Sequence, residues 1–386
     1  MQLGADFSAL LNRFSPDPHA PIALAVSGGS DSLALLHLSS DWARREDRSV
    51  IVFTVDHGLR PEARAEADHV AALCDHMRVA HQTLVWETPK PSQNAARRAR
   101  YGLIAKAMAS ENANCLLTGH TLDDVIETVF IRRRRGVRGG LSAGPAKAAP
   151  FPAWPAGQGM TVLRPLLYAR RSALRDLLQA HDTVWMEDPS NQDESFERVQ
   201  VRRFLRRHPR LHDGLVPVIT TLLAERGQLD ARMSRALAEV AVTPDGLIEV
   251  PTENMTVPDR IRVLSLLARI ASGGDRDPRR QAVFDMVASL KEPGARQTLG
   301  GAWFQRTRIG FKVGRDPAQS NPAYKAPVFD GRFARDPDAQ LPLLAETSFL
   351  VRHARPTDSD WREILSDRIK HMRLCFQSDI GPMGAE

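Results

Sequence analysis

The sequence predicts an α/β protein built on a parallel sheet with helices on both faces, followed by a mainly helical region and a small C-terminal α+β region. Two observations predict this fold. Short apolar runs alternate with longer helical patterns over residues 22–130, which is typical of strand–helix repeats. Polar clusters directly follow three of the predicted strands, and ligands of parallel sheets bind outside the carboxyl ends of the strands.

The predicted elements follow from the apolar periodicity. Short continuous apolar runs indicate buried strands, and apolar residues three or four apart indicate helices. In chain order the predictions are strand 22–26, a helix starting at 33–38, strand 50–55, helix 62–77, strand 79–86, helix 94–109, strand 114–117 and a helix after 120. The polar clusters are 27–32, 56–58 and 119–120, so we expect a binding site where these three segments meet.

The chain has 386 residues, which is more than one compact domain usually holds. Alternating residues and a Gly-Gly pair predict a β element within 296–314. We expect an N-terminal domain formed by 1–142 and part of 160–190, a Pro-, Gly- and Ala-rich loop at 143–160, a helical region at 191–290 and a small C-terminal region at 291–386.

Composition and cysteine usage predict a cytoplasmic protein. Hydrophobic residues make up 42% and charged residues 25%, which is ordinary for a globular chain. The apolar runs are too short to span a membrane and the first residues lack the pattern of a secretory signal, so no membrane association is expected. Cys74, Cys115 and Cys375 form no CxxC pair, which favours a reducing compartment and argues against a metal site built from thiolates.

The segment Ser27-Gly28-Gly29-Ser30-Asp31-Ser32 lies between the first predicted strand and its helix. Glycines allow the backbone to approach an anion, and a helix N-terminus favours negative charge. A capped helix start after a tight turn is the alternative interpretation, and neither GxxxxGK[ST] nor GxGxxG is present. A carboxylate would repel a phosphate unless a cation joined them, so Asp31 predicts a loop that binds pyrophosphate through Mg²⁺.

The second polar segment, GHTLDDVIETVF at 119–130, has the spacing of an amphipathic helix. His120, Asp124 and Glu127 share one face, with Asp123 beside them, and apolar residues occupy the opposite face. We expect the apolar face to dock on the sheet and the polar face to bind a metal or transfer protons. The alternative is that the acidic residues only stabilise the helix N-terminus.

Arginines are clustered in a chain whose net charge is +6. A solvated helix face explains many such clusters, but four of them in one chain favour a nucleic acid partner. The clusters are 97–100, 132–135, 170–171 and 202–207.

The hexapeptide SGGSDS resembles SGGxDS, the pyrophosphate loop of the N-type ATP pyrophosphatases, which form the PP-loop superfamily. Further stretches resemble the tRNA(Ile)-lysidine synthetases, and they lie in order over residues 22 to 207. These stretches are VDHGLRPEA at 55–63, NAARRARYGLI at 94–104, TGHTLDDVIET at 118–128, RRRRGVRGGLSA at 132–143, RPLLYARR at 164–171 and WMEDPSNQDESFERVQVRRF at 185–204.

The resemblance implies a fold like that of the adenine nucleotide alpha hydrolases and a two-step reaction. ATP would adenylate the C2 oxygen of the wobble cytidine in the tRNA(Ile) with a CAU anticodon, with release of pyrophosphate. The amine of L-lysine would then displace AMP and give lysidine. The implied cofactors are ATP and Mg²⁺, and the implied partners are this tRNA and L-lysine. The oligomeric state stays open, with a homodimer as one alternative.

The resemblance also implies roles for individual residues. Asp31 would hold Mg²⁺, and the region 191–290 would bind tRNA. The ATP-binding residues would be Ser27, Gly28, Gly29, Ser30, Asp31 and Ser32, with the backbone near Val55 and Gly119 for adenosine. The catalytic residues would be Asp31, His120, Asp123, Asp124 and Glu127. The tRNA-binding residues would be Arg97, Arg132, Arg133, Arg135, Arg138, Arg202, Arg203 and Arg206.

The sequence departs from the family pattern at two places. The usual run is closer to RNxxR, whereas this chain has Arg198-Val199-Gln200-Val201-Arg202, and Thr121 stands where a second His often follows. Two other functions remain as alternatives at this point. One is a tRNA thiolase of the same superfamily, which typically needs CxxC pairs that this chain lacks. The other is a nucleotide- and RNA-binding protein without catalysis.

Overall fold

A computed structural model provides the structure of the chain. It describes residues 3–15, 17–58, 62–89, 92–153, 156–187, 197–243, 247–272, 277–316, 328–329, 333–334, 352–353 and 361–377. The chain divides into two compact units, one formed by 1–228 with 378–386 and the other by 229–377. Within the described ranges, no helix is long and apolar enough to cross a membrane.

The first unit begins with a helix that the apolar periodicity did not predict and continues with the predicted alternation. The elements are α1 Leu3–Phe14, β1 Ile22–Ala25, α2 Ser30–Arg45, β2 Val50–Asp56, α3 Glu62–Met77, β3 Ala80–Val85, α4 Gln93–Ser110, β4 Cys115–Thr118 and α5 Leu122–Arg134. A 3₁₀ helix at Gly139–Ser142 follows, and then β5 Ala148–Pro150, β6 Thr161–Leu163, α6 Arg171–Ala180 and α7 Glu197–Arg207. The boundary between the units falls within the next helix, α8 Pro209–Ala238.

The strands of the first unit form one sheet in the order β3-β2-β1-β4-β6-β5. All neighbours are parallel except β5 and β6, which pair antiparallel. The chain moves from β1 to β2 on one side and reaches β4 on the other side, so the strand order reverses at β1. A crevice at the carboxyl ends of β1 and β4 is therefore expected to bind the ligand. The predicted parallel sheet is confirmed.

Three residues of the segment expected to be a loop, 143–160, form the edge strand β5. Pro150 ends this strand opposite Thr161. Proline lacks a backbone N–H, but an edge strand needs hydrogen bonds on only one side, so proline is tolerated there. Composition indicated a loop because proline and glycine are typical of loops and depleted in strands.

Both faces of the sheet are covered by helices. Leu33, Leu35 and Leu36 of α2 are fully buried. A separate cluster joins α4 to the strands through Ile104, Phe53 and other apolar residues. Strands buried on both faces are expected to be apolar along their whole length, which explains the continuous run at the start of β1.

The second unit contains a small antiparallel sheet packed with helices. Its elements are β7 Ala241–Val242, β8 Ile248–Pro251, α9 Val257–Ser272, α10 Arg280–Ser289, β9 Arg296–Leu299, β10 Ala302–Arg306, β11 Gly310–Arg315, β12 Val328–Phe329, β13 Phe333–Ala334, β14 Arg352–His353 and α11 Trp361–Gln377. The order of the larger sheet is β7-β8-β11-β10-β9. The β element predicted within 296–314 corresponds to β9, β10 and β11, and its Gly-Gly turn has φ of +62° and +80°.

Candidate active site

The loop between β1 and α2 is held by its own polar groups. Gly28 has φ of +76°, which favours glycine. The Ser27 backbone N–H donates to Ser32 Oγ at 3.2 Å, and that hydroxyl donates to the Gly29 carbonyl at 2.9 Å. The N-terminus of α2, which begins at Ser30, therefore lies at the carboxyl end of β1, where it favours an anionic ligand.

Gly119 is required by a close approach between the second polar segment and this loop. A Cβ atom at position 119 would lie 2.9 Å from the Asp31 carbonyl oxygen and 3.1 Å from the Ser32 Cα. The backbone after β4 therefore packs directly on the first turn of α2. This contact explains the glycine, and the adenosine contact expected of Gly119 stays a prediction.

Thr121 and Asp124 set the start of α5. The Thr121 N–H donates to Asp124 Oδ2 at 2.8 Å, and the Asp124 N–H donates to Thr121 Oγ1 at 3.4 Å. This reciprocal pair is a capping box. Thr121, which departs from the family pattern, is thus the N-cap that orients the polar face of α5.

Three carboxylates converge at the rim, and Arg171 lies between them. Arg171 is the first residue of α6, and its side chain is 18% exposed. Its Nε donates to Asp31 Oδ2 at 2.8 Å and its Nη2 to Asp124 Oδ1 at 3.3 Å, while Nη1 is 3.7 Å from Glu127 Oε1. We call Asp31, Asp124 and Glu127 the acidic cluster. Sequence reasoning missed the role of Arg171, although the stretch RPLLYARR that ends there was a signal.

Two further arginines approach the acidic cluster from α7. Arg198 donates from Nε to Glu127 Oε2 at 2.7 Å and from Nη2 to Asp124 Oδ1 at 2.8 Å. Arg202 donates from Nε to Glu127 Oε1 at 2.7 Å. The Glu127 side chain is only 3% exposed as a result. Arg198 was missed as a site residue, although its spacing of four from Arg202 puts both on one helix face.

The polar face of α5 is therefore covered by arginines, whereas the sequence indicated a face open to the rim. Three guanidinium groups balance three carboxylates in a partly buried space. Such compensation is needed because an isolated buried charge is strongly unfavourable. The acidic cluster is thus paired with guanidinium groups of the chain itself.

The electrostatic environment shifts the pKa values of the two aspartates of the cluster in opposite directions. Burial raises the pKa of Asp31, and Arg171 opposes this shift only in part. Burial would also raise the pKa of Asp124, but Arg171, Arg198 and the Thr121 N–H together hold it below its ordinary value. Asp124 is thus the more firmly ionised of the two.

His120 lies beside the cluster as a neutral imidazole. Burial, assisted by Arg164, lowers the pKa of His120 to about 4. The Thr118 hydroxyl donates to the Leu163 carbonyl, so it accepts from His120 Nδ1 at 3.0 Å. This pattern assigns the proton to Nδ1 and leaves Nε2 as an acceptor.

Asp123 points away from the acidic cluster, to a different set of partners. Its Oδ2 accepts from the Arg171 backbone N–H at 2.8 Å, and its Oδ1 is 3.3 Å from His212 Nε2. His212 Nδ1 in turn accepts from Arg170 at 2.8 Å. Asp123 therefore satisfies the first N–H of α6 and positions Arg171. No sequence signal indicated His212, which comes from α8.

The remaining polar segment, 56–58, begins at the end of β2. The same strand holds Val55, whose backbone is expected to contact adenosine. Val55 is in β2 beside β1, and Asp56 at its end accepts from the Gly58 N–H at 2.9 Å. His57 Nε2 is 3.1 Å from Arg100 Nη2. The motif residues 59–61 and 188–196, which include most of EDPSN, lie outside the described residues.

The arginines expected to bind tRNA occupy α4, α5 and α7 and the turn after α5. Arg97 lies 5.0 Å from the centre of the Tyr101 ring, and Arg135 pairs with Glu197. Arg132 donates to the Leu141 carbonyl at 3.1 Å, and Arg138 donates to the Arg133 carbonyl at 2.9 Å. The exposed members are Arg97, Arg133, Arg135, Arg138, Arg203 and Arg206. Their contact with RNA stays a prediction, as does that of Arg202.

The metal-ligating side chains and the thiols of the chain limit the metal and sulfur chemistry that it can support. Within the part of the chain that the structure describes, no three His, Cys, Asp or Glu side chains form a metal-binding group. Mg²⁺ commonly uses one or two carboxylates together with substrate phosphates, and Asp31 in the anion-binding loop fits that mode. The three cysteines are buried and form no disulfide, and burial raises the pKa of Cys74 to about 12. A thiolate for sulfur transfer is therefore disfavoured.

Comparison with known proteins identifies relatives over most of the chain. Residues 4–208 match a family described as a PP-loop domain. A tRNA(Ile)-lysidine synthase of Hyphomonas neptunium is 36% identical over 340 residues, which cover 86% of this chain and 91% of the relative. A tRNA(Ile)-lysidine synthase of Mesorhizobium japonicum is 40% identical over 66% of this chain and 58% of its own length. Among solved structures, the U34-tRNA thiolase NcsA of Methanococcus maripaludis matches 56% of this chain and 77% of its own, with 15% identity and a TM-score of 0.43.

Proposed function

The chain belongs to the tRNA(Ile)-lysidine synthase family and carries its PP-loop ATP-binding domain, and from this premise we propose how its residues catalyse lysidine formation. The family makes it a ligase-type enzyme that uses ATP to form lysidine on tRNA(Ile). We propose in addition that L-lysine is the nucleophile, that the tRNA has a CAU anticodon and that the enzyme acts in the cytoplasm. The allocation of residues below is part of the same proposal.

One structural observation supports this assignment of residues to catalytic roles. The anion-binding loop after β1 and the acidic cluster on α5 meet at the rim where the strand order reverses, and Arg171 joins them through Asp31 and Asp124. A nucleotide phosphate at the loop and a cationic amine at the cluster would therefore be neighbours. Adjacent binding sites for these two groups are what a reaction between an adenylated base and an amine requires.

In the first step, the C2 oxygen of the cytidine attacks the α-phosphorus of ATP. The bond from C2 oxygen to phosphorus forms, the bond between the α- and β-phosphates breaks, and pyrophosphate leaves. The loop from Ser27 to Ser32 binds the phosphates, because the Gly28 turn and the N-terminus of α2 both favour an anion there. Asp31 would hold Mg²⁺, which supplies charge neutralisation at the leaving pyrophosphate when bound.

In the second step, the amine of L-lysine attacks C2 and AMP leaves with the C2 oxygen. Asp124 and Glu127 attract the ammonium form of the substrate, and it replaces arginine nitrogens that they already bind. The amine must lose a proton before it can attack. His120 Nε2 and the ionised Asp124 are the two candidate acceptors, and the pKa of about 4 makes His120 the weaker base at neutral pH.

Incorporation of labelled lysine tests this proposal. Purified protein with ATP, Mg²⁺ and radiolabelled L-lysine should label tRNA(Ile) with a CAU anticodon and should leave methionine tRNA unlabelled. Asp31→Ala should abolish labelling, whereas Asp41→Ala, a more exposed carboxylate on the same helix, should retain it. ATP cleavage without lysine incorporation would contradict the nucleophile, and sulfur donors would be tested next. Absence of both reactions would favour a non-catalytic binding protein.

A further inference from the structure

Three aromatic side chains, from α5, from α7 and from the residue that follows α7, stack on one another. The ring centres of Phe130 and Phe204 are 5.6 Å apart, and those of Phe204 and His208 are 4.4 Å apart with planes tilted by 32°. Phe204 is 39% exposed, and His208 is also exposed. We call these three residues the aromatic platform.

The outer ring of the platform is fixed in orientation. His208 Nδ1 lies 2.8 Å from the Phe204 carbonyl oxygen. Because a carbonyl only accepts hydrogen bonds, Nδ1 carries the proton and the imidazole is held over the Phe204 ring. A rigid stack of this kind is preorganised for another planar group, since little side-chain freedom is lost on binding.

A cavity of about 290 Å³ opens beside the platform. It is lined by Phe130, Arg134, Gln200, Val201 and Phe204. This volume lies at the lower limit of ligand pockets, which span about 300–1,000 Å³, so it suits one small planar group. Its lining combines two aromatic side chains with a guanidinium and an amide that can form hydrogen bonds.

The surroundings of the platform are cationic. Exposed arginines follow Phe130 on α5 and flank Phe204 on α7, namely Arg133, Arg134, Arg203, Arg206 and Arg207. An apolar protein partner is poorly matched to such a rim. Single-stranded nucleic acid fits it, because bases stack on aromatic rings while arginines contact the phosphates.

The platform lies a short distance along the helices from the acidic cluster. Glu127 and Phe130 are separated by about 4.5 Å along the axis of α5, given a rise of about 1.5 Å per residue. Glu127 and Phe130 are three positions apart and so are surface neighbours on α5, whereas Arg202 and Phe204 are two positions apart on α7 and point to different faces of that helix. A base stacked on the platform would thus neighbour a nucleotide that reaches the cluster.

We propose that the aromatic platform stacks an unpaired base of the tRNA loop, next in the strand to the cytidine that is modified. This inference rests on the proposed function, because it takes the loop of tRNA(Ile) as the substrate. It assigns a further binding site to Phe204 and His208. Stacking on one ring contributes about 1–3 kcal/mol, which corresponds to a change of about 5- to 150-fold in affinity.

The test uses the full-length protein and the ring of Phe204. Phe204→Leu should raise the KM for tRNA about tenfold, within the range expected for one stacked base, and Phe204→Tyr should restore it. Ile309→Ala truncates an apolar side chain that is 58% exposed, between β10 and β11 and outside the region expected to bind tRNA, and is the control. A thermal melt of each variant verifies that it is folded.

A fluorescence titration gives a second readout that does not depend on catalysis. A tRNA(Ile) transcript with 2-aminopurine beside the modified cytidine should be quenched on binding the wild-type protein and less quenched by Phe204→Leu. If wild-type protein forms no lysidine but quenches the probe through Phe204, the proposed function fails and the platform stands. Unchanged KM and unchanged quenching in Phe204→Leu, or equal effects in Ile309→Ala, would overturn the platform.

Discussion

Replacement of Arg171 by methionine tests the central electrostatic contact of the site. The guanidinium contacts Asp31 at 2.8 Å and Asp124 at 3.3 Å and lies 3.7 Å from Glu127, and its side chain is only 18% exposed. Methionine keeps most of the apolar stem and removes the charge. Arg198 and Arg202 still neutralise Asp124 and Glu127 in this variant, so Asp31 is the carboxylate most affected.

The expected loss of stability follows from the burial of these groups. Removal of one partner of a buried ion pair destabilises a protein by about 3–5 kcal/mol, and the remaining arginines put the expected value near 3 kcal/mol. Urea unfolding measures this change as a shift of the transition midpoint. Arg44→Met is the control, because Arg44 pairs with Asp41 at the surface and such pairs contribute at most about 1 kcal/mol.

The same contact predicts how the stability difference between wild type and Arg171→Met changes with pH. Arg171 lowers the pKa of both Asp31 and Asp124, so both values rise in Arg171→Met. A carboxyl group whose pKa is raised by folding stabilises the folded state at low pH and loses that contribution as the pH rises. The stability gap between wild type and Arg171→Met should therefore be larger at pH 8 than at pH 5. A gap below about 1 kcal/mol, or one that widens toward pH 5, would refute the reasoning.

Three further predictions concern the residues around the cluster. Gly119→Ala should abolish ATP–pyrophosphate exchange, because the new Cβ would lie 2.9 Å from the Asp31 carbonyl oxygen. Gly102→Ala is the control, because a Cβ there meets nothing within 4 Å. This variant should retain exchange and gain up to about 1 kcal/mol of stability. The His120 imidazole should stay neutral in an NMR titration down to about pH 5, and stability should fall from pH 6.5 toward pH 4 because the unfolded chain binds the proton more readily; protonation near pH 6.5 would contradict this. Thr121→Ala should lower the stability by about 1 kcal/mol through loss of the capping box, while Thr220→Ala on α8 should change it by less than about 0.5 kcal/mol, and equal losses would argue against the capping role.

Local sequence patterns were enough to predict the sheet and the place of the candidate site. The run from Ile22 to Ala25 is apolar at every position, as a strand buried on both faces must be. Gly28 and Ser32 form a turn whose chemistry is contained within six residues. Since the carboxyl ends of parallel strands share one edge, strand–helix alternation is enough to place the segments after β1 and β4 together.

Which charges meet at that edge depends on contacts between residues that are far apart in the chain. Arg171 lies 140 positions from Asp31, and Arg198 lies 71 positions from Glu127, so neither pair has a local signal. The charged face of α5 was predicted to be open to the rim, and Arg202 was assigned to RNA, because periodicity tells which residues share a helix face and not what covers that face. The pairing depends on how α6 and α7 pack against α5, and that packing is set by the buried apolar surfaces of the whole unit.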